Sequence, residues 1–370
     1  MPARTQRGAA RALPALLLLS SCLAATRAAP PGSTSHGADV QQLEAGCGGG
    51  DPAACTTLGA IYRDRGDAKA LERAAEVLTR ACDLKSGEGC ALLGVLNEAY
   101  ERHDARPVLE AYRRSCELGY AKGCELYGFA QRRQAPGDRH AGEDSFIRAC
   151  GLGDLPSCHG LGRARIDDPA TRADGITYLR KACRGDFAPS CLAGAELFAP
   201  VVGKAASSVQ ALPFAEGACA KKEEVACAIA DACRIEADPE ATGAMQRLRA
   251  ACDDGISLAC FYWANATEGS AANSESVNRA YALACQRNSA AQPLACTRVA
   301  VMKLASATTA AEAEPLTQFL QTACERSVGE ACCAVAEVYA AGRWSAADAP
   351  KALAMRERAC SLGVQRCCRP

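Results

Sequence analysis

Cysteines recur along this chain as pairs eight positions apart, and that spacing constrains the fold more than any other feature. The pairs are Cys47 with Cys55, Cys82 with Cys90, Cys116 with Cys124, Cys150 with Cys158, and Cys183 with Cys191. They continue as Cys219 with Cys227, Cys252 with Cys260, Cys285 with Cys296, Cys324 with Cys332, and Cys360 with Cys368. Only Cys285 and Cys296 depart from the C-x7-C spacing. First cysteines of successive pairs lie 33 to 39 residues apart. A period of that length marks a stacked array of small units, not two or three separate domains.

The residues around each pair repeat as well. Alanine precedes the first cysteine at Ala81, Ala149, Ala182, Ala218, Ala251, Ala284, Ala323 and Ala359. Glycine follows within three residues at Gly119, Gly153, Gly185, Gly255 and Gly363. This reads as a helix end, because glycine accepts the left-handed conformation that closes one. Four residues after the second cysteine stands Gly59, Gly94, Gly128, Gly162, Ala195, Ala264, Ala300 or Ala336, with Asp231 the exception. Positions i and i+4 share a helix face, so cysteine and small residue together form a stripe of close approach.

Each unit therefore predicts a helix A from the second cysteine, such as Gly89 to Glu101, then a polar turn, then a helix B such as Arg106 to Leu118. Leu92, Leu93, Leu96 and Tyr100 on the first, and Val108, Leu109, Tyr112 and Cys116 on the second, carry the helical period. Two helices in so short a unit cannot bury an apolar face alone and must stack on their neighbours. The expected fold is all-α: an α/α superhelical solenoid of about nine helix-turn-helix repeats stapled by the C-x7-C disulfides. Pro200 and Pro213 in the fifth unit, and Thr308 to Pro315 in the eighth, mark the loosest turns. After Cys360, Leu362 to Pro370 is too short for another pair, which leaves the last unit partly open.

The disulfide reading rests on where the cysteines fall. One lies in the last turn of helix B and the other in the first turn of the next helix A, within the roughly 5.5 Å between Cα atoms that a bridge requires. Closing so short a loop is worth about 2–3 kcal/mol per bridge. Zinc sites use closer cysteines supplemented by histidine; only four histidines exist here, none at a recurring position. Cys22, Cys233, Cys333 and Cys367 fall outside the pairs. Cys333 and Cys367 either bridge each other or exchange roles with Cys332 and Cys368. Cys233 is left as a buried thiol or an intermolecular link.

The amino terminus sets the expected compartment. Arg4, Arg7 and Arg11 precede an apolar stretch from Leu13 to Leu19, with no acidic residue before Asp39. This reads as a signal peptide over 1–21, too short to span a bilayer. Leu19-Ser20-Ser21-Cys22 resembles a bacterial lipobox, which makes Cys22 the expected lipidation site; cleavage in the Ala-rich stretch before Pro30 is the alternative. Residues 22–39 then form a tether and 40–370 the solenoid. Export permits disulfides. Removing three arginines from 42 basic residues leaves 39 against 42 acidic ones, a balance that gives no support to a nucleic-acid partner. Any membrane association is expected only through the lipid anchor.

Ala81-Cys82-Asp83-Leu84 through Gly89-Cys90-Ala91-Leu92-Leu93-Gly94 resembles the junction of Sel1-like repeats, as does Arg114-Ser115-Cys116-Glu117-Leu118-Gly119 through Gly123-Cys124-Glu125-Leu126-Tyr127-Gly128. With cysteines at these two points the chain looks closest to the Helicobacter cysteine-rich protein subgroup. The resemblance runs from about Val40 to Pro370 and weakens from the fifth unit, where Leu-Gly becomes Gly194-Ala195, Ala230-Asp231 or Trp263-Ala264. It implies an α/α superhelix, bridges at the pairs above, and a role as adaptor or ligand-binding scaffold. Some members of that subgroup are described as penicillin-binding or weakly β-lactam-hydrolysing. That chemistry calls for Ser-x-x-Lys, Ser-Asp-Asn and Lys-Thr-Gly elements, none of which occurs here.

No residue is assigned a catalytic, cofactor or metal role. His103, His140 and His159 read as solvated surface, and His36 lies in the tether. Phe261-Tyr262-Trp263 reads as rings packed between repeats, with Trp263 the alternative anchor for a ligand; Trp344, beside Gly342 and Arg343, is the better candidate for exposure. The sequence thus points to an exported, non-enzymatic scaffold that binds a protein or peptide at the cell envelope. Its rivals are a β-lactam or peptidoglycan-peptide binding or hydrolysing protein, and a structural secreted factor.

Overall fold

A computed structural model describes residues 35–100, 105–138, 140–201, 206–268 and 274–368. Among them there are nineteen α-helices and no strand. A lone helix, α1 (Ser35–Gly48), precedes nine A–B pairs, in which even-numbered helices are A and odd-numbered helices B. The first three pairs are α2 (Pro52–Arg65) with α3 (Ala68–Asp83), α4 (Gly87–Tyr100) with α5 (Arg106–Glu117), and α6 (Ala121–Gln134) with α7 (Glu143–Gly151). Next come α8 (Leu155–Arg165) with α9 (Arg172–Arg184), α10 (Ala188–Phe198) with α11 (Ser208–Cys219), and α12 (Glu224–Ala237) with α13 (Thr242–Asp253). The last are α14 (Ser257–Thr267) with α15 (Ser274–Gln286), α16 (Gln292–Ser306) with α17 (Ala310–Glu325), and α18 (Gly329–Ala341) with α19 (Ala349–Ser361). A 3-10 turn over Gln365–Cys367 follows.

Helix α1 begins inside the segment expected to be a tether, so the array starts before residue 40. It is a B-type helix with Cys47 in its last turn, and Val40 and Leu43 pack it onto the first full unit. The signal peptide over 1–21, Cys22 and His103 lie outside the described residues.

All ten cysteine pairs are bridged. Cys47 bonds to Cys55, Cys82 to Cys90, Cys116 to Cys124, Cys150 to Cys158 and Cys183 to Cys191. Cys219 bonds to Cys227, Cys252 to Cys260, Cys324 to Cys332 and Cys360 to Cys368. Separations between Cα atoms run from 4.3 Å at Cys116 and Cys124 to 4.9 Å at Cys360 and Cys368. The wider pair also closes, with Cys285 bonded to Cys296 across 4.7 Å. Every one of these separations is shorter than the roughly 5.5 Å expected. Cys55, Cys191 and Cys260 are buried, whereas Cys227 and Cys296 are half-buried.

The turn at each junction is shorter than the spacing suggests, because both cysteines of nearly every pair sit inside helices. At the second junction the Lys85 N–H bonds to the Cys82 carbonyl and the Ser86 N–H to the Ala81 carbonyl, each at 3.0 Å. That pair of bonds is the Schellman closure, which requires a left-handed residue between them. Lys85 supplies it at φ 68°, and the third residue after the first cysteine does the same in other units, whether Gly119, Gly153, Lys222 or Ser327. Gly185, expected to play this part, does not: its φ is −79°, and Asp186 takes the left-handed position at φ 72°. Distance from the cysteine, not the presence of glycine, selects the residue.

The stripe of small residues faces helix B of the same unit. A Cβ on Gly94 would lie 2.5 Å from the Tyr112 ring, one on Gly128 2.8 Å from Phe146, and one on Gly162 2.7 Å from Leu179. Each of those bulky residues stands four before the next first cysteine, so the two stripes interlock at a fixed register. In the fifth unit the contact moves one residue earlier, to Gly194 against Phe214.

A third register is a row of cations. Arg80 donates to the Gly48 carbonyl at 2.8 Å, Arg114 to that of Cys82 at 3.2 Å, Lys181 to that of Cys150 at 2.7 Å and Arg358 to that of Glu325 at 3.0 Å. Each lies two before a first cysteine and reaches the C-terminal turn of the preceding helix B. There it adds a donor to a carbonyl of the closing turn and opposes the negative end of the helix dipole, worth about 0.3–1 kcal/mol per site.

Two prolines expected to loosen turns lie within helices: Pro213 in α11 and Pro315 in α17, the latter behind a capping box of Thr309 and Glu312. At the carboxyl end Cys333 bridges Cys367, tying α18 to the 3-10 turn, while Cys360 and Cys368 keep their own pairing. Cys233 is buried and, among the described residues, is the free cysteine.

Candidate functional site: the groove between A helices

Successive A helices touch one another more extensively than successive B helices do. The A helices therefore form the more closely packed face of the array. Three recesses open along that face, each between neighbouring A helices. One of about 390 Å³ lies between α2 and α4, lined by Thr56, Thr57, Ala60, Ser86 and Leu92. Another, of about 440 Å³, lies between α6 and α8 around Glu125, Phe129, Ser157, Gly160, Leu161 and Arg165. A third, of about 360 Å³, lies among α10, α12 and α14 around Glu196, Ala199, Val225, Ile229 and Leu258. Residues two and five after a second cysteine recur among the linings: Thr57 with Ala60, Gly160 with Phe129, and Ile229 with Glu196.

Polar side chains bridge adjacent A helices beneath the groove. The Thr56 and Ser86 hydroxyls meet at 2.9 Å, and His159 Nδ1 lies 2.9 Å from Ser190 Oγ. His159 is thus not the solvated surface residue expected. It is half-buried in α8 with its ring 5.6 Å from that of Phe187, and this burial, aided by the nearby Arg163 charge, lowers its pKa. The Ser190–His159 pair has the composition of a nucleophile and its base. Ser190 is 0% exposed, however, so its hydroxyl cannot meet a substrate and the pair serves to join α8 to α10. His140 is exposed and pairs with Glu143 at 2.7 Å.

Phe261 and Tyr262 are buried between repeats, the Tyr262 hydroxyl donating to the Pro200 carbonyl at 3.0 Å. Trp263 is half-buried against the same core under the Arg249 guanidinium, 5.6 Å away. Trp344 is half-buried as well, stacked 4.5 Å from Arg343 and packed on the carboxyl-terminal core. Neither tryptophan lines the three recesses. The aromatic that does present itself there is Phe129, 44% exposed and edge-on to Phe146 with ring centres 5.0 Å apart. Sequence reasoning passed over it, together with Glu125, Ser157 and Gly160. Its signal was the count of five from Cys124.

Among the described residues no three His, Cys, Asp or Glu side chains converge as a metal site, and no helix is long and apolar enough to cross a membrane.

No family model matches the sequence, and no curated protein matches it. Solved structures share the architecture. A protective antigen present in uropathogenic Escherichia coli strains, displaying an SLR fold, superposes with a TM-score of 0.54 at 16% identity over 86% of this chain and 79% of its own. A Sel1 repeat protein from Oxalobacter formigenes superposes with a TM-score of 0.52 at 18% identity over 84% of this chain and 91% of its own.

Proposed function

We propose that this chain, which has the Sel1-like repeat fold, is an exported, non-enzymatic scaffold of the bacterial cell envelope that holds a protein or peptide segment in its A-helix groove. The observation that carries the reading is the set of three recesses between neighbouring A helices, at α2 and α4, α6 and α8, and α10 to α14. An extended segment laid along the groove would meet one recess after another. Ten bridges at the junctions and an eleventh at the carboxyl end support export, since thiols stay reduced in a cytosol. They also hold the groove rigid, which lowers the ordering cost of binding. The lipobox-like run ending at Cys22 supports an anchored form, with the array held at a membrane surface.

An envelope pull-down with the oxidised mature chain tests the reading, using the reduced and alkylated chain as its control. A stoichiometric protein or peptide captured only by the oxidised form is expected, and lost when Phe129 is changed to Asp. Capture that ignores both changes would place binding off the groove. Palmitate labelling of the full chain, abolished by Cys22→Ser, tests the anchor.

A further inference from the structure

The recess among α10, α12 and α14 stands where the repeat is broken. Cys285 and Cys296 are eleven positions apart instead of eight, so the junction from α15 to α16 is the longest of the ten. Arg287, Asn288, Ser289 and Ala290 of that junction all line the recess. In stacked repeats an insertion confined to one unit builds a loop on one face, commonly the binding face. This loop is pinned. The Ser289 hydroxyl lies 3.1 Å from that of Ser257, and the Gln292 side-chain amide donates to the Cys285 carbonyl at 3.2 Å.

The longer junction also places a cation. Gly255, third after Cys252, has φ 91°, and a Cβ there would lie 3.0 Å from the Arg287 guanidinium. At Gly119, Gly153 and Gly363, the same place in other units, a Cβ would meet nothing within 4 Å. Arg287 thus occupies the space that a side chain at Gly255 would fill. Beside it α14 begins at Ser257 with Ile256 as N-cap and no side-chain cap, so its first N–H groups add to the same positive potential.

The wall from α10 carries the opposite charge. Desolvation raises the pKa of Glu196, and Arg163 is the charge that draws it back down. Among the described residues neither Glu196 nor Arg287 makes an ion pair or a hydrogen bond, with the other or with a third group. Helix α12 lies between α10 and α14 and supplies Val225 and Ile229, four apart on one face, and Leu258 of α14 continues that apolar surface.

An unpaired guanidinium calls for a carboxylate, the apolar surface for an apolar side chain, and Glu196 for an N–H donor. The last residue of a peptide carries its carboxylate, its side chain and its backbone N–H on adjoining atoms. An internal Asp or Glu spends its side chain on the carboxylate and leaves the apolar surface bare.

From this arrangement we infer that the recess is a subsite for the free carboxyl terminus of the bound peptide, ending in an apolar residue. Arg287 and the Asn288 amide donate to the terminal carboxylate, the last side chain packs on Val225, Ile229 and Leu258, and an upstream N–H donates to Glu196. This rests on the groove reading above and adds which end of the peptide is held.

The test uses the oxidised mature chain, immobilised, and acetylated octapeptide pools randomised at seven positions. The last position is Leu, Lys or Glu, and each pool is made as the free acid and as the amide. The Leu acid pool is expected to be retained about 10-fold or more over its amide, the ratio that loss of one charged hydrogen bond implies, and to exceed the Lys and Glu acids. Arg287→Gln should bring the Leu acid and amide level, and so should Val225→Asp, which sets a carboxylate beside the site. Both residues are exposed, so melting temperatures should match wild type. Equal retention of acid and amide by the wild-type chain, or a preference that survives either change, overturns the subsite while peptide binding leaves the groove standing. Displacement of the Leu acid pool by free leucine as readily as by the same peptides overturns it in favour of an amino-acid site. If no pool binds at all, the subsite is overturned and the groove reading falls with it.

Discussion

Arg247 of α13 forks onto Asp231 of α12, with Nε 2.9 Å from Oδ2 and Nη2 2.5 Å from Oδ1. Asp231 occupies the position that glycine or alanine takes in the other units, where helix B presses closest, and it is buried there. Arg234 adds a second contact at 2.8 Å from Oδ1. An aspartate thus replaces a small residue because the facing helix offers a guanidinium alongside the buried Leu248. Steric fit at this junction is exchanged for a paired charge.

Breaking that pair from one side leaves a buried carboxylate with only Arg234. Arg247→Met should cost about 1–3 kcal/mol in urea unfolding; the value lies below that of a fully buried pair because Arg247 is more than half exposed. The double change Asp231→Ala with Arg247→Met restores the pattern of the other units and should recover most of the loss. Equal destabilisation by the single and double variants would show that the carboxylate is not what suffers.

Glycines of one chain should respond oppositely to the same substitution. Gly94→Ala drives a methyl against Tyr112, which is fully buried and held by its hydroxyl donating to Glu98 at 2.7 Å. Overpacking of this kind costs about 1–3 kcal/mol. Gly160→Ala meets no atom and gains helix propensity, up to about 1 kcal/mol. Melting curves of the two variants decide the matter; a stabilised Gly94→Ala would refute the interlocked register.

Burial holds the folded pKa of His159 below its unfolded value of about 6.5. Protonation therefore favours the unfolded chain, which binds more protons between those two values. The contribution of His159 is fully present above about pH 6.5, and is lost as pH falls toward the folded pKa. His159→Gln should flatten the decline in melting temperature between pH 7 and pH 5. Parallel curves for the two proteins would exclude His159 as its source.

Burial also pushes the Cys233 thiol up to about 11, so at pH 8 it is protonated as well as shielded. A mature chain carrying Cys22→Ser should show no thiol to Ellman's reagent when native and one when denatured without reductant. Three thiols on denaturation would mean that one of the bridges does not form.

Most of what can be counted from a cysteine was legible in the sequence by itself, though not which residue closes each junction, since Asp186 and not Gly185 takes the left-handed position. The helix period, the bridges, the stripe from Gly59 to Ala336 and the junction turns depend on residues within a few positions of each other, where backbone geometry dictates contact. What lay beyond it was decided by the angle at which one unit stacks on the next. That angle brings Ser190 to His159, 31 residues away, pairs Cys333 with Cys367, and lets Arg247 answer Asp231. It also turns Gly160 from an ordinary helical glycine into the opening of a recess over Glu125 and Ser157. Local periodicity places a side chain on a face; only packed neighbouring helices determine whether that face is filled, paired or open.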